Sequence, residues 1–345
     1  MTLLSEILEQ PQRLSDLLVQ QRQTTEEIAR VIHTYQVEYV FLAARGSSDN
    51  AGRYASYLWG AHNRLPVALA TPSLFTYYKA PPLLKKALVV GISQSGQSPD
   101  ILAVMEEGKR QNCLTLAITN SPTSPLGQMA DVTLDILSGP EIAVAATKTY
   151  TSQLMAIAML SVALAGETKF WAFLEKVPGW ISTTLNQSNE IAQASQRYRN
   201  MHQCVVLGRG YNYATAYEWA LKMKELAYIM AEPYSSADFQ HGPIALIESG
   251  FPVMAVAPRG KVLASMKQAL LHLRNDFGAE LTLISDAPDM LDLAQIRFPL
   301  PKGIPEWLTP LVSIIPAQLF TYHLTQIKGF DTETPRSIHK VTETQ

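Results

Sequence analysis

The sequence has 345 residues, with 28 Lys and Arg against 30 Asp and Glu, and 47% of its residues are hydrophobic. This length fits about two domains, and the near-neutral charge disfavours a nucleic-acid-binding protein. The hydrophobic fraction is too high for a disordered chain, and two cysteines cannot form a disulfide framework or a cysteine-rich zinc site. The longest largely apolar stretch, residues 154–165, is too short to cross a bilayer, and the start MTLLSEILEQ lacks the basic segment of a secretory signal. We therefore expect a cytoplasmic protein with no membrane and no nucleic-acid partner.

The pattern of apolar residues predicts an α/β fold. Helical spacing over residues 1–33 predicts a helical lead-in, in which Pro11 separates two pieces. Short apolar runs then alternate with amphipathic segments, which is typical of βαβ units in a parallel sheet. The first set of predicted strands comprises 40–44, 67–70, 88–92, 114–119 and 132–136, and the second set comprises 204–207, 253–257, 281–285 and 296–300.

The two sets match one another at a nearly constant offset. Arg45-Gly46 and Arg209-Gly210 follow the first strand of each set, 164 residues apart, and the same offset relates Gly96 to Gly260. The LTL triplets at 114 and 281 add a third match in the same order. A duplicated α/β unit is therefore predicted. The predicted division is a lead-in over 1–33, a first domain over 34–165, a helical connector over 166–200, a second domain over 201–330 and a tail over 331–345.

Two loops of the first set could hold a ligand, because ligands bind beyond the carboxyl ends of the strands in an open parallel sheet. The loop SQSGQSPD at 93–100 offers hydroxyl groups, a glycine and backbone N–H groups at a helix start, which suit a phosphate oxygen. Alternatively, its serines only cap the helix. The loop RGSSDN at 45–50 offers partners for sugar hydroxyl groups, or is no more than a polar turn.

A dinucleotide site is not expected at Gly208 and Gly210. The third glycine position of the GxGxxG pattern is Tyr213, whose bulk would obstruct close packing of helix against strand. No pair of histidines has the spacing of metal ligands. We therefore predict neither a cofactor nor a metal.

The helix that follows Gly210 carries Glu218, Lys222 and Glu225 at positions i, i+4 and i+7. This stripe is either a solvated face with an ordinary Glu–Lys pair or a carboxylate base beside an amine. The spacing alone favours the solvated face. His241 lies in the following loop, before Gly-Pro, where an imidazole can exchange protons near neutral pH.

Taken together, these motifs resemble the sugar isomerase (SIS) family, over nearly the whole chain. The motifs are ARGSSDNAG at 44–52, SQSGQSPD at 93–100, EIAVAATKTYTSQL at 141–154, LGRGYNYA at 207–214, ALKMKELAYIMAEPYSSADFQHGP at 220–243 and DTETPRSIHK at 331–340. The resemblance is to the isomerase half of glucosamine-6-phosphate synthases and to stand-alone SIS-type glucosamine-6-phosphate deaminases. It implies two tandem flavodoxin-like SIS domains, each a parallel sheet between helices.

The resemblance also implies a role for individual residues. The residues that match ligand-binding positions are Ser93, Gln94, Ser95 and Ser98 for the phosphate, Gly46, Ser47 and Ser48 for the sugar, and the backbone at Val144 and Ala145. Those that match catalytic positions are Glu225 as the base for C1–C2 proton transfer, its neighbour Lys222, the ring-opening His241, and Lys340 as the lysine that forms a Schiff base with the keto sugar. In the family that histidine comes from the partner subunit, which implies a homodimer.

The departures from the family pattern favour one reaction. Arg45 replaces the usual cysteine, Ala146 a serine, Gln240 a lysine and His339 an alanine. The glutamine-hydrolysing segment of the synthases is not expected, and the loops look closer to those of the deaminases. We therefore expect conversion of glucosamine 6-phosphate to fructose 6-phosphate and ammonia. The alternatives are amination with free ammonia or a separate glutaminase, a related deglycase, a deaminase for the galactosamine epimer, and a regulator that binds sugar phosphates.

Overall fold

Two parallel sheets organise residues 2–340, which are the residues that this computed structural model describes. The strands are β1 (Tyr39–Ala43), β2 (Val67–Leu69), β3 (Ala87–Ser93), β4 (Leu114–Thr119), β5 (Val132–Asp135), β6 (Gln203–Gly208), β7 (Met230–Ser235), β8 (Pro252–Val256), β9 (Glu280–Ser285) and β10 (Ile296–Pro299). The helices are α1 (Leu3–Leu8), α2 (Gln10–Tyr35), α3 (Ser47–Asn63), α4 (Ser73–Thr76), α5 (Pro99–Arg110), α6 (Pro125–Met129), α7 (Lys148–Ala165), α8 (Trp171–Leu174), α9 (Val177–Leu185), α10 (Ser188–Ser195), α11 (Tyr213–Leu226), α12 (Leu263–Asp276), α13 (Pro288–Leu291) and α14 (Thr309–Ile327).

Each sheet has five strands, and both sheets have the same internal order. The first runs β2-β1-β3-β4-β5, and the second, read from its opposite edge, runs β7-β6-β8-β9-β10. All strand pairs are parallel, and helices follow the strands as crossovers. The predicted α/β fold with two tandem flavodoxin-like domains is therefore confirmed.

The contacts divide the chain into two compact units. The first unit holds the first sheet and comprises 9–142, 146–176 and 339–340 of the described residues, whereas the second unit comprises 2–8, 143–145 and 177–338. The core of the first unit includes the central strands β3 and β4, which are buried along their whole length because helices cover both faces. The limits predicted for the domains stay a prediction.

Helices α2 and α7 pack against each other in the first unit. The stretch 154–165 belongs to α7, which is buried almost throughout because it lies inside the unit. Pro11 lies in the first turn of α2, where a backbone N–H would have no partner within the helix. The predicted break between the two helical pieces lies between α1 and α2, next to this proline. No helix within residues 2–340 is long and apolar enough to cross a membrane.

Strand β7 has no counterpart among the predicted strands. Its sequence, MAEPYS, contains Glu232 and Pro233, which interrupt the apolar pattern that identified the other strands. A proline is compatible with a strand at the edge of a sheet, because the outer side of that strand needs no N–H donor. Strand β7 pairs only with β6 in the described sheet, so its edge position explains why Pro233 is tolerated.

Candidate functional site

The candidate phosphate loop, residues 93–98, joins the end of β3 to the start of α5. Its turn is closed by the N–H of Gly96, which donates to Ser93 Oγ at 3.1 Å. Ser98 precedes the first residue of α5, yet its side chain makes no capping hydrogen bond to the helix. A serine that served only as a cap would use its hydroxyl in that bond. The absence of a capping bond at Ser98 is compatible with the phosphate interpretation, which stays a prediction.

Gly96 has a φ of +65°, and a Cβ atom added there would collide with the side chain of Ser124. We expect Gly96→Ala to weaken binding of a sugar phosphate by about tenfold or more, because strain of roughly 1–2 kcal/mol and the collision with Ser124 would displace the loop from the shape that binds the ligand. Isothermal calorimetry with glucosamine 6-phosphate measures the effect.

Gly60 provides the matched control for this prediction. It lies in α3, and a Cβ atom there would meet nothing within 4 Å. Gly60→Ala should preserve the affinity and raise the stability by up to about 1 kcal/mol, as is usual inside a helix. Equal affinity of the Gly96→Ala chain and the wild type would contradict the proposed role of this turn.

The candidate sugar loop follows β1 and lies in the same unit. Gly46 has a φ of +55° and starts the turn, and Ser47 and Ser48 open α3. The buried hydroxyl of Ser48 accepts a hydrogen bond from Gln153 Nε2 of α7 at 2.9 Å. This bond leaves the Ser48 proton available to a ligand, so Gln153 orients Ser48 as a donor.

An ion pair joins the candidate sugar loop to the start of α5. Arg45 Nε lies 2.5 Å from Asp100 Oδ2, and the Asp100 side chain is only 3% exposed. Asp49, at the start of α3, pairs with Arg53 at 3.2 Å. Burial raises the pKa of Asp49, and the charges of Arg53 and Arg45 oppose that rise.

Lys340, the last described residue, is held by a buried carboxylate of the first unit. Its Nζ lies 2.7 Å from Glu141 Oε2, and the Glu141 side chain is fully buried. Glu141 also accepts hydrogen bonds from the N–H groups of Thr147 and Thr149 and from the Thr149 hydroxyl. No local pattern in the sequence indicates a role for Glu141, although this residue begins the motif EIAVAATKTYTSQL. The arrangement places a carboxylate within hydrogen-bond distance of the Lys340 amine.

In the second unit, α11 carries a buried chain of three charged groups. Lys222 Nζ lies 2.5 Å from Glu225 Oε2 and 3.5 Å from Glu218 Oε1. The side chains of Glu218 and Lys222 are 0% and 3% exposed, and that of Glu225 is 24% exposed. The solvated face favoured by the spacing alone is therefore wrong, because α11 packs against α14 and against β6 and β7. A partly open carboxylate beside a buried ammonium suits proton transfer.

His241 follows a short 3-10 turn, Asp238–Gln240, and its side chain is exposed, as expected for a residue in a loop. Its N–H donates to the Asp238 carbonyl at 3.0 Å, and the next residue, Gly242, has a φ of +131°. The imidazole is therefore accessible to a ligand or to another chain.

Val144 and Ala145 belong to the second unit, whereas the candidate phosphate and sugar loops belong to the first unit.

The described residues include two cysteines, and their side chains can be compared with those that metal ions need as ligands. Residues 2–340 contain no group of three or more His, Cys, Asp or Glu side chains placed to hold a metal ion. Both cysteines are buried, and burial raises the pKa of the Cys204 thiol to about 12. A thiol of such high pKa is a poor nucleophile at neutral pH.

Comparison with known proteins shows the family to which the two sheets and their loops are similar. The family model of the SIS domain matches residues 34–163 and 197–328. The glutamine–fructose-6-phosphate aminotransferase (isomerizing) of Pyrococcus horikoshii is 32% identical over 343 residues, which cover 98% of this chain and 57% of the relative. The chain thus spans little more than half the length of the curated relatives it matches.

Two solved structures show the same arrangement of elements. The C-terminal domain of glucosamine-fructose-6-phosphate aminotransferase from Francisella tularensis has a TM-score of 0.87 at 30% identity, covering 96% of this chain and 98% of that chain. Glucosamine-6-phosphate deaminase from Thermotoga maritima has a TM-score of 0.82 at 21% identity, covering 100% of both chains, which shows a shared fold. The predicted resemblance is confirmed at the level of the family.

Proposed function

Because the chain belongs to the SIS domain family and its matched relatives include isomerizing aminotransferases, we propose that it converts glucosamine 6-phosphate to fructose 6-phosphate and ammonia. The observation that carries the proposal is the Glu218–Lys222–Glu225 cluster, in which a buried ammonium lies 2.5 Å from a partly exposed carboxylate. A single carboxylate can move a proton between neighbouring carbon atoms of an enol-type intermediate when adjacent charges tune it.

The proposed reaction begins with ring opening and proton transfer. His241 takes the proton of the C1 hydroxyl and returns it to the ring oxygen, which yields the open-chain aldehyde. Glu225 then removes the proton from C2, exchanges it with solvent and protonates C1, while Lys222 donates a proton to the sugar oxygen that gains charge and recovers one from the C2 nitrogen. The product of these steps is the C2 imine of the ketose, so no electrons leave the substrate.

The release of ammonia needs an amine or water at C2. In the proposal, Glu141 accepts the proton of Lys340 across the 2.7 Å contact, and the neutral amine attacks C2. Ammonia leaves, and water hydrolyses the new Schiff base to the ketone and regenerates the lysine. One water is consumed for each ammonia released, which balances the reaction. The binding residues proposed for the substrate are Gly46, Ser47, Ser48, Ser93, Gln94, Ser95 and Ser98, with the backbone at Val144 and Ala145.

The first test supplies glucosamine 6-phosphate without glutamine and measures both products. Equal amounts of ammonia and fructose 6-phosphate support the proposal, and a folded wild-type chain that yields neither contradicts it. Galactosamine 6-phosphate and an N-substituted hexosamine 6-phosphate in the same assay distinguish the epimer-specific deaminase and the deglycase. Binding of the sugar phosphate with no turnover of any of these substrates would instead indicate a regulator.

The second candidate function is amination of fructose 6-phosphate. The 32% identity to an isomerizing aminotransferase favours it, and that relative extends well beyond the region matched here. Incubation with fructose 6-phosphate and either ammonium or glutamine measures this direction. Efficient synthesis at low ammonium concentration, with slow deamination, would favour amination as the working direction.

A homodimer in which His241 acts on the partner's substrate is also part of the proposal. His241→Ala and Glu225→Gln chains should each be inactive, and mixing them after dissociation should restore roughly a quarter of the wild-type activity, because half of the dimers are mixed and each has one intact site. The exposed position of His241 supports this proposal. A mixture that stays as inactive as its components would place both residues of a site in one chain.

A further inference from the structure

The ion pair between Arg45 and Asp100 has no part in the reaction proposed above. We propose that Arg45 is a positioning residue for the phosphate: it compensates the charge of Asp100 beside the phosphate loop and so allows an anionic substrate to bind there. The inference rests on the phosphate loop of the proposed function.

The position of Asp100 explains why its negative charge would affect the binding of a phosphate. It is the second residue of α5 and follows Ser98 by two positions, so its carboxylate lies in the first turn of the helix that would receive the phosphate. Its side chain is only 3% exposed, and solvent ions screen a buried charge weakly. A phosphate monoester carries a charge of about −1.5 to −2 at neutral pH. An uncompensated Asp100 would therefore repel the ligand from its own binding loop.

The geometry gives Arg45 the compensating role. Its Nε lies 2.5 Å from Asp100 Oδ2, and this is the ion pair that Asp100 makes in the described part of the chain. The positive charge of Arg45 also acts on Asp49, but Asp49 pairs with another cation, Arg53, at 3.2 Å. Loss of Arg45 would thus leave Asp49 paired and Asp100 without its cation. The same pair fixes the sugar loop after β1 to the start of α5.

Three variants separate charge compensation from a general structural role. We expect Arg45→Met to raise the KM for glucosamine 6-phosphate, and the Ki of inorganic phosphate as a competitor, by about tenfold or more, since each tenfold corresponds to only about 1.4 kcal/mol of repulsion. The kcat should change less. Adding Asp100→Asn to Arg45→Met should restore most of the affinity, because it removes the charge that Arg45 compensates, and Arg45→Lys should keep most of it.

Arg110 provides the matched control on the same helix. It pairs with Glu107 at 2.7 Å at the other end of α5, and its side chain is 70% exposed. Arg110→Met should leave the KM and the Ki unchanged. Thermal melting of every variant shows whether it is folded.

Two results would overturn the inference while the proposed function stands. One is a folded Arg45→Met chain that binds glucosamine 6-phosphate and phosphate as the wild type does. The other is a folded Arg45→Met, Asp100→Asn chain that binds them no better than Arg45→Met, which would indicate loss of structure and not repulsion. A wild-type chain that binds neither ligand would overturn the phosphate loop itself, and this inference with it.

Discussion

We expect Glu225→Gln to lower the kcat for glucosamine 6-phosphate by about 100- to 10,000-fold, the usual contribution of a positioned general base. The amide has the size of the carboxylate but cannot accept the C2 proton. Glu225 is the most exposed member of the cluster on α11, at 24%, which makes it the carboxylate that a substrate can reach. Steady-state assays of ammonia release measure kcat, and calorimetry shows whether the variant still binds the substrate.

Glu232 provides the control for this prediction. It lies on β7, its side chain is 49% exposed, and its distance to Lys224 Nζ is 3.9 Å. Glu232→Gln removes the same charge from the same unit and should leave kcat within about twofold, as is usual for an exposed pair. The proposed role of Glu225 would be abandoned if both variants turned over the substrate at similar rates.

The second prediction with a large expected effect concerns the stability of the folded chain. We expect Lys222→Met to lower the free energy of unfolding by about 3–5 kcal/mol, the usual cost of removing one partner from a buried ion pair. The reason is Glu218, whose fully buried carboxylate would lose the ammonium 3.5 Å away. Urea denaturation of the purified chain, followed by circular dichroism, measures the change. Activity should be lost as well, because Lys222 supports the base.

The double variant keeps this prediction testable even when Lys222→Met alone does not fold. Glu218→Gln in the Lys222→Met background removes the carboxylate charge and should recover a large part of the stability. Lys224→Met removes an exposed lysine two positions away and should change stability by less than about 1 kcal/mol. A folded Lys222→Met chain with wild-type stability would show that Glu218 does not depend on Lys222.

The sequence predicted the parallel sheets well because their strands are buried on both faces. Strands β3 and β4 are continuous apolar runs, and their limits were predicted to within one residue. The edge strand β7 escaped prediction because Glu232 and Pro233 are acceptable where one side of a strand is unpaired. Periodicity thus identifies the interior of a sheet better than its margins.

The candidate site was only partly predictable for a related reason. The spacing of Glu218, Lys222 and Glu225 showed that they share one face of a helix, but it could not show what covers that face. Because α14, β6 and β7 pack against α11, the charged side chains form a buried cluster and not an ordinary solvated surface. Glu141 was missed because its contact with Lys340 spans 199 residues of sequence, and no local pattern reports such a contact. The resemblance supplied the residue roles that spacing could not.

The most direct test of the central claim follows the reaction of glucosamine 6-phosphate in D₂O by NMR. Proton transfer by a carboxylate that exchanges with solvent predicts fructose 6-phosphate with deuterium at C1, together with release of ammonia, from the wild-type chain. The Glu225→Gln chain should form both products at least about 100-fold more slowly. Fructose 6-phosphate and deuterium appearing equally fast with Glu225→Gln, or no reaction of the folded wild-type chain, would contradict the account.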